Sequence, residues 1–597
     1  MFSPQRISPL NYTDESARPK RALGLVLWVV IAVVLAGFVY QYSMHLAAVR
    51  IYGQDECRSV CAAYLIGAGK GAASGTPVSL FYAPLIWLAH GAVHSVDLYV
   101  SGRFFSVELF WLNLVLLVVA TGGKLFSPRS IVVLAGAVTL APLWDFGFEI
   151  RPDNLVLSGL LLMWCALRVR PQGLQSYFIA GLLTAGLQFV AIKSLAYTLP
   201  ISVAAIIFPV PEYKSKTWKL ALGWSVGIAV AFLLVRFSYG AAGLWDVYLR
   251  NWSHPLDAIG ETTVGWRQFL DRAMAQVPLL LGLVVGGLAS LAMDVRSRGK
   301  AAFSWASMLP EGVLFILAVV VFLLSGKASP PQLLYLTAFG FLLAARYVMS
   351  IWKEITMQRA ALIGAIVLFG HLIPFFTLIE RHANFTSYHQ ENLMNLSEQM
   401  TEPGKDTVYD CFGMVPTRRV ADYESFFQRR NGGVMPGDLK PSLGELLASQ
   451  PPSVIIADAR FDKLADPDKE FIRSHYVPVA PDFWVLGRIL PAGGGDFEIS
   501  HAGRYRITSA EGSNLFGTYE QPQNLMQSLT PPPKFPPLAG TLDGVPLNGE
   551  PMLLSPGVHH LKCASEARAA VAWLGPELEG ISRMAGGSRE SLFVGWF

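Results

Sequence analysis

The chain has 597 residues, of which 52% are hydrophobic and only 15% charged, with a net charge of +4. Soluble domains usually carry about 25% charge, so a cytosolic enzyme, a disordered chain and a fibrous protein are all excluded, and no basic patch marks a nucleic-acid surface. The stretch between Arg21 and Arg50 holds no charged residue, more than the roughly 20 apolar residues that a spanning helix needs.

In chain order, eleven membrane spans are expected, near 22–44, 104–122, 130–147, 154–167, 176–192, 194–210, 219–238, 277–293, 310–325, 331–349 and 360–379. Basic residues favour the cytoplasmic side of short loops. Lys20 and Arg21, Lys124 and Arg129, Arg168 and Arg170, Lys214 and Lys216, Arg296 and Arg298, and Lys353 and Arg359 all fall on one side of this assignment. That side is therefore inside, the N-terminus is cytoplasmic, and everything after residue 380 is outside.

The first external loop, about 45–103, contains a semi-apolar stretch from Leu80 to Val93. Pro84, His90 and His94 suit a helix lying along the membrane better than a further span. A second external loop, about 239–276, carries Trp245, Trp252 and Trp266, residues at home at headgroup level. Beyond the spans, "TVYDCFG" and "PPSVIIADAR" read as strands, while "SLGELLAS" and "DPDKEFIRSHY" read as helices. From residue 494, short strands punctuated by Asp543-Gly544 and Pro556-Gly557 suggest a β-sandwich. The expected organisation is thus a polytopic helical membrane domain (1–380), an external α/β domain (381–493) and an external β-sandwich (494–597) with carbohydrate binding as one role. The five cysteines are too scattered for a disulfide framework and are expected as reduced thiols.

Charges near a membrane are costly, so they form a short list of functional candidates. Asp55 and Glu56 follow the first span. Glu149, Arg151 and Asp153 lie in "FEIRPDN" between two apolar runs, Lys193 stands in "FVAIKSLAYTLP", and Lys327 lies in "LLSGKASPPQLLYL". All fall on the outer side. Each also has a structural explanation: a solvated loop, an ion pair closing a tight turn, or a lysine reaching to headgroups. The G-x-G-x-x-A match from Gly67 to Ala72 follows no strand and is rejected as a nucleotide site. A carboxylate at this face could take a proton from an acceptor hydroxyl, and cations could hold a departing phosphate. A lipid or glycan transporter would also gather charges in a bundle. Transporters tend to show internal repeats and mid-membrane sites, whereas here no repeat appears and the charges group at one face.

The segments "YGQDECRS", "PVSLFYAPLIWLA…VSGRFFSVELF", "FEIRPDNLVLSGLLLMW", "GLLTAGLQFVAIKSLAYTLP" and "GKASPPQLLYL", in this order, resemble the glycosyltransferase-C superfamily of membrane glycosyltransferases. The resemblance is greatest to its bacterial branch related to protein mannosyltransferases and the lipid A aminoarabinose transferase. It implies an inverting enzyme of the bacterial inner (plasma) membrane with a polyprenyl-phosphate-sugar donor and a lipid, glycan or protein acceptor. It also implies that Asp55 is catalytic, that Glu56, Arg151 and Asp153 contact substrate, and that Lys193 and Lys327 face phosphate. His254, Glu261 and Arg267 match no motif and stand only as acceptor-side candidates. A divalent cation is left open, because two adjacent carboxylates do not define a site.

Overall fold

In the computed structural model, the uncharged runs form a helical bundle, and the mixed-composition remainder forms two sheets stacked on one end of it. The structure describes residues 34–575 apart from 69–79, 90–93, 122–127, 169–172, 209–216, 250–265, 325–330, 352–356, 411–412, 419–442, 458–465, 511–537 and a few shorter interruptions. Helix α1 (36–49) leads into α2 (Gln54–Gly67) and α3 (Tyr82–Ala89), and then into α4 (Ser95–Ala120). At 1.5 Å per residue, α3 is about 12 Å long, too short to cross a bilayer, as expected for the Leu80–Val93 stretch.

The third expected span, 130–147, is broken into α5 (Pro128–Val138) and α6 (Ala141–Gly147). Leu140 is extended and Pro142 occupies the first turn of α6; proline lacks the N–H that would have continued α5. The bundle continues with α7 (Pro152–Arg168), α8 (Leu174–Val190), α9 (Ser194–Ile207), α10 (Thr217–Ala241), α11 (Trp266–Gln276), α12 (Pro278–Arg298), α13 (Leu309–Leu324), α14 (Gln332–Ile351), α15 (Met357–Asn384) and α16 (Tyr388–Met400). Among the described residues, four helices are long and apolar enough to cross a membrane, and a bent pair within α15 makes a fifth. Three further apolar helices are shorter. Exposed apolar side chains such as Ile206, Phe237, Phe369 and Ile373 line the outside of the bundle, the surface that hydrocarbon covers. At the expected inner side, Glu311 on α13 is buried and sits 2.9 Å from Arg168 of α7 and 3.6 Å from Arg346 of α14.

The C-terminal region contains strands β1 (Val408–Asp410), β2 (Val454–Ile456), β3 (Tyr476–Ala480), β4 (Phe483–Leu490), β5 (Gly494–Ile499), β6 (Gly503–Ser509), β7 (Gly540–Leu542), β8 (Val545–Pro546), β9 (Met552–Leu554), β10 (Gly557–Cys563) and β11 (Ala569–Trp573). Helices α17 (Leu443–Ser449) and α18 (Asp466–His475) lie where the helical segments were expected. One sheet has the order β1-β2-β4-β11-β6-β9, with β3 also on β4, and a second runs β5-β10-β7-β8. Asp543 and Gly544 both have positive φ, 50° and 81°, and they make the two-residue turn between the paired Leu542 and Val545. The larger sheet takes strands from both sides of residue 493. In it β11 lies between β4 and β6, with Val571 opposite Arg488 on one side and Ile507 on the other. The division expected at 493/494 therefore runs through a continuous sheet rather than a linker.

Both sheets sit at the end of the bundle that carries α2. Buried Glu398 on α16 accepts hydrogen bonds from Ser95 N (2.7 Å), Ser95 Oγ (2.6 Å) and Thr417 Oγ1 (2.5 Å). Tyr99 OH donates to Met414 O at 3.2 Å. These bonds tie the start of α4 to the C-terminal region.

Candidate active site

The site begins where α1 stops. Residues 49–52 are held by the α15–α16 junction: Ser387 N donates to Val49 O (2.9 Å), Ile51 N donates to Phe385 O (3.1 Å), and Gln390 exchanges hydrogen bonds with both backbone groups of Tyr52. Gly53 then caps α2 in an extended conformation, which puts Asp55 and Glu56 in the first helical turn. There the free N–H groups and the helix dipole favour negative charge.

The two neighbouring acids are handled oppositely. Glu56 is 1% exposed. Both of its oxygens receive the fork of the fully buried Arg103 on α4, at 2.9 and 2.8 Å. Gly53 N (2.6 Å) and Ile150 N (3.0 Å) complete its shell. Burial opposes its charge, but Arg103 and these N–H donors hold its carboxyl below the usual range. Arg103 also donates to the carbonyls of Ala47 (3.0 Å), Ile51 (2.7 Å) and Arg50, and it stacks over the Tyr52 ring at 4.3 Å. Glu56, expected among the substrate contacts, is thus directed inward as a clamp between α2, α4 and the turn before α7. Asp55 points the other way, and its side chain is 44% exposed.

Facing Asp55 is the turn between α6 and α7. Arg151 Nη1 lies 2.6 Å from Asp55 Oδ2 and 3.6 Å from Glu149 Oε2, while Arg151 Nε lies 3.3 Å from Asp153 Oδ2. Glu149 is also paired with Arg50 at 2.9 Å, and Arg50 reaches Asp145 at 3.6 Å. Asp153, fully buried at the start of α7, accepts from Lys193 Nζ at 2.6 Å and from the hydroxyl of Tyr335 on α14 at 2.8 Å. The Tyr335 ring packs on Tyr197 with centroids 4.4 Å apart. Lys193 precedes α9, and its side chain is 36% exposed. Cations and carboxylates therefore alternate from Arg50 through Glu149 and Arg151 to Asp55, with a branch through Asp153 to Lys193. Two members, Asp55 and Lys193, open to solvent.

Arg151, helped by Arg58 at 4.0 Å, holds the Asp55 carboxyl below its usual range, so it is ionised at neutral pH. Burial instead pushes Glu149 up to about 7, even against Arg50 and Arg151.

Of the residues singled out from sequence, Asp55, Glu56, Arg151, Asp153 and Lys193 converge. Lys327, His254 and Glu261 lie outside the described residues, as does the side chain of Arg267. Sequence reasoning missed Arg50, Arg103 and Tyr335. Arg103 carried a usable signal, a single cation at the head of the long uncharged run in "SGRFFSV"; Tyr335, one aromatic among many, carried none. Among the described residues, no three or more His, Cys, Asp or Glu side chains are grouped to hold a metal ion. Asp55 and Glu56 diverge instead of sharing a ligand point.

No family profile matches the chain, and no curated protein matches it in sequence. Solved structures do. The crystal structure of ArnT from Cupriavidus metallidurans bound to undecaprenyl phosphate superposes with a TM-score of 0.51, at 12% identity, over 77% of this chain and 97% of that one. The apo state of the same protein gives 0.48, at 13% identity, over 74% and 94%. Identity this low speaks for fold and leaves chemistry to the site itself. The chain has the fold of ArnT, and with it the glycosyltransferase-C architecture that its outer-loop segments resemble.

Proposed function

We propose that the protein is an inverting glycosyltransferase that moves a sugar from a polyprenyl-phosphate-linked donor to an acceptor hydroxyl at the outer face of the membrane. One observation carries this reading. At the end of an apolar bundle, an ionised and half-exposed carboxylate, Asp55, stands against a cation-bearing wall formed by Arg151 and Lys193. That pairing suits a reaction needing a base on one side and charge stabilisation for a leaving phosphate on the other. Undecaprenyl phosphate bound to the ArnT neighbour supports the lipid-phosphate class of the donor.

In the proposed step, Asp55 accepts the proton of the acceptor hydroxyl as its oxygen bonds to the anomeric carbon. The bond from that carbon to the phosphate oxygen breaks, its electron pair leaves with polyprenyl phosphate, and a single displacement inverts the centre. Lys193 and Arg151 offset the charge developing on the leaving group. Arg50, Glu149 and Asp153 hold those cations in place, and the Glu56–Arg103 clamp fixes the turn of α2 on which Asp55 rides. The placement of the C-terminal sheets at the same end of the bundle supports an outer location for both.

The test is Asp55→Asn, purified and reconstituted with a polyprenyl-phosphate sugar. Transfer should fall by about 10²–10⁴-fold, the usual contribution of a general base, while expression and melting match the parent. Turnover equal to the parent would remove Asp55 from the mechanism.

A further inference from the structure

Helices α8 and α10 touch backbone to backbone over part of their length. A Cβ on Gly181 would come within 2.0 Å of Trp224 O, and one on Gly227 within 2.2 Å of Phe178 O. Beyond this contact, toward the end of the bundle that carries the site, the same pair borders an apolar groove of about 450 Å³. Ala185, Gln188 and Phe189 of α8, Ala229 and Phe232 of α10, and Trp245 from the following segment line it. Its wall is a run of rings: Phe189 to Phe232 at 6.2 Å, then Phe232 edge-on to Trp245 at 5.9 Å. The Arg236 guanidinium lies 4.7 Å over the Trp245 ring.

Two features set this groove apart from the rest of the lipid-facing surface. First, it leads to the site. Phe189 sits at its upper end, α8 ends at Val190, and three residues later Lys193 is bonded to Asp153. Leu80 N donates to Phe189 O at 2.9 Å, so the segment entering α3 rests on the same point. Second, it is short. The glycine contact closes it at Gly181, eight residues from Phe189, or about 12 Å at 1.5 Å per residue. A chain leaving a phosphate held at Lys193 meets the groove at once and runs out of it after the first few isoprene units.

Resting on the donor class given under Proposed function, we propose that this groove holds the head-proximal isoprene units of the donor, while the remaining units stay in the bilayer. Transfer from lipid to groove involves no hydrophobic gain, since both environments are apolar. Recognition then comes from packing of a branched, unsaturated chain against the Phe189–Phe232–Trp245 wall, so it is specific to the units that reach that wall and indifferent to the rest.

The experiment measures binding of polyprenyl monophosphates of increasing length to the full chain in nanodiscs, by native mass spectrometry with competition. Affinity should rise over the first few isoprene units, by about tenfold (1.4 kcal/mol) in total, and then stay level. Ala229→Trp and Ser225→Trp place a ring in the groove from exposed positions. Both should remove the rise and leave affinity for the shortest phosphate unchanged. Leu233→Trp, on α10 but outside the groove and 64% exposed, should change nothing. An affinity that climbs to full chain length, a rise that survives both groove variants, or equal competition by a saturated phosphatidic acid would each overturn the assignment. Retained affinity for the shortest phosphate shows that a variant is folded. Because binding of the phosphate is read separately from transfer, a chain that shows this length pattern yet moves no sugar would refute only the enzymatic reading. A chain that transfers sugar without the pattern would refute only the groove.

Discussion

Arg103→Met is expected to damage the protein more than any change at an exposed charge, and the structure sets the scale. Arg103 is fully buried and gives two hydrogen bonds to Glu56 and three to the carbonyls of Ala47, Arg50 and Ile51. Removing it leaves the Glu56 carboxylate buried with its two N–H partners but no counter-charge, a loss of about 3–5 kcal/mol for pairs of this kind. Orphaned carbonyls, at about 1–3 kcal/mol for each one left dry, add to that. Glu56→Gln with Arg103→Met removes both charges, so the double variant should melt above Arg103→Met alone, with a coupling of about 2 kcal/mol or more. Melting midpoints at one scan rate in one detergent give this ordering, because membrane-protein unfolding is rarely reversible. Transfer should drop in both variants even though neither residue faces the open side of the site, since the clamp orients the turn that carries Asp55. If Arg103→Met melts with the parent, or if the double variant is no more stable than the single, Glu56 is not a structural clamp and its expected role as a substrate contact returns.

Lys193→Ala should raise the donor KM with little effect on acceptor KM; an effect confined to the acceptor would reassign the residue. Glu149 supplies a pH signature. Burial raises its carboxyl from an ordinary 4.5 to about 7, so between those values the folded protein holds a proton that the unfolded chain has lost. Stability should therefore fall as pH rises from 4.5 to 7, and Glu149→Gln should flatten that slope. An unchanged slope in the variant would place the titration elsewhere. Asp55 runs the other way: its carboxyl is held below 3.8, so transfer should show no acid limb from Asp55 at or above that pH. A limb that appears near neutrality and disappears in Glu149→Gln would identify Glu149 as its source.

Much of this protein is legible in one dimension because lipid imposes a simple demand. A helix in hydrocarbon must be apolar along its length, so the spans appear as uncharged runs, and the acids and cations that interrupt them stand out without any knowledge of packing. That logic singled out Asp55, Glu149, Arg151, Asp153 and Lys193 from five separate stretches of side chains. It also marked the interfacial α3 segment and the Asp543-Gly544 turn, where local backbone chemistry decides the outcome. Proline at 142 was equally visible, yet a continuous apolar run concealed the break it makes between α5 and α6.

What composition could not decide is which way each charge faces. Asp55 and Glu56 are adjacent acids in one helical turn, chemically almost alike, and about 100° of helical rotation separates them. One meets Arg103 and Ile150, parts of the chain 47 and 94 residues distant, and becomes a buried clamp. The other meets Arg151 and open solvent. Likewise, the sheet that joins β4 to β11 unites segments that read as separate domains, because strand pairing depends on partners far apart in sequence. The sequence by itself determined a polytopic membrane protein with charge gathered at its outer ends. Only the tertiary structure decided which of those charges is buried and which is left free to act, because burial and pairing depend on what long-range packing brings opposite each side chain.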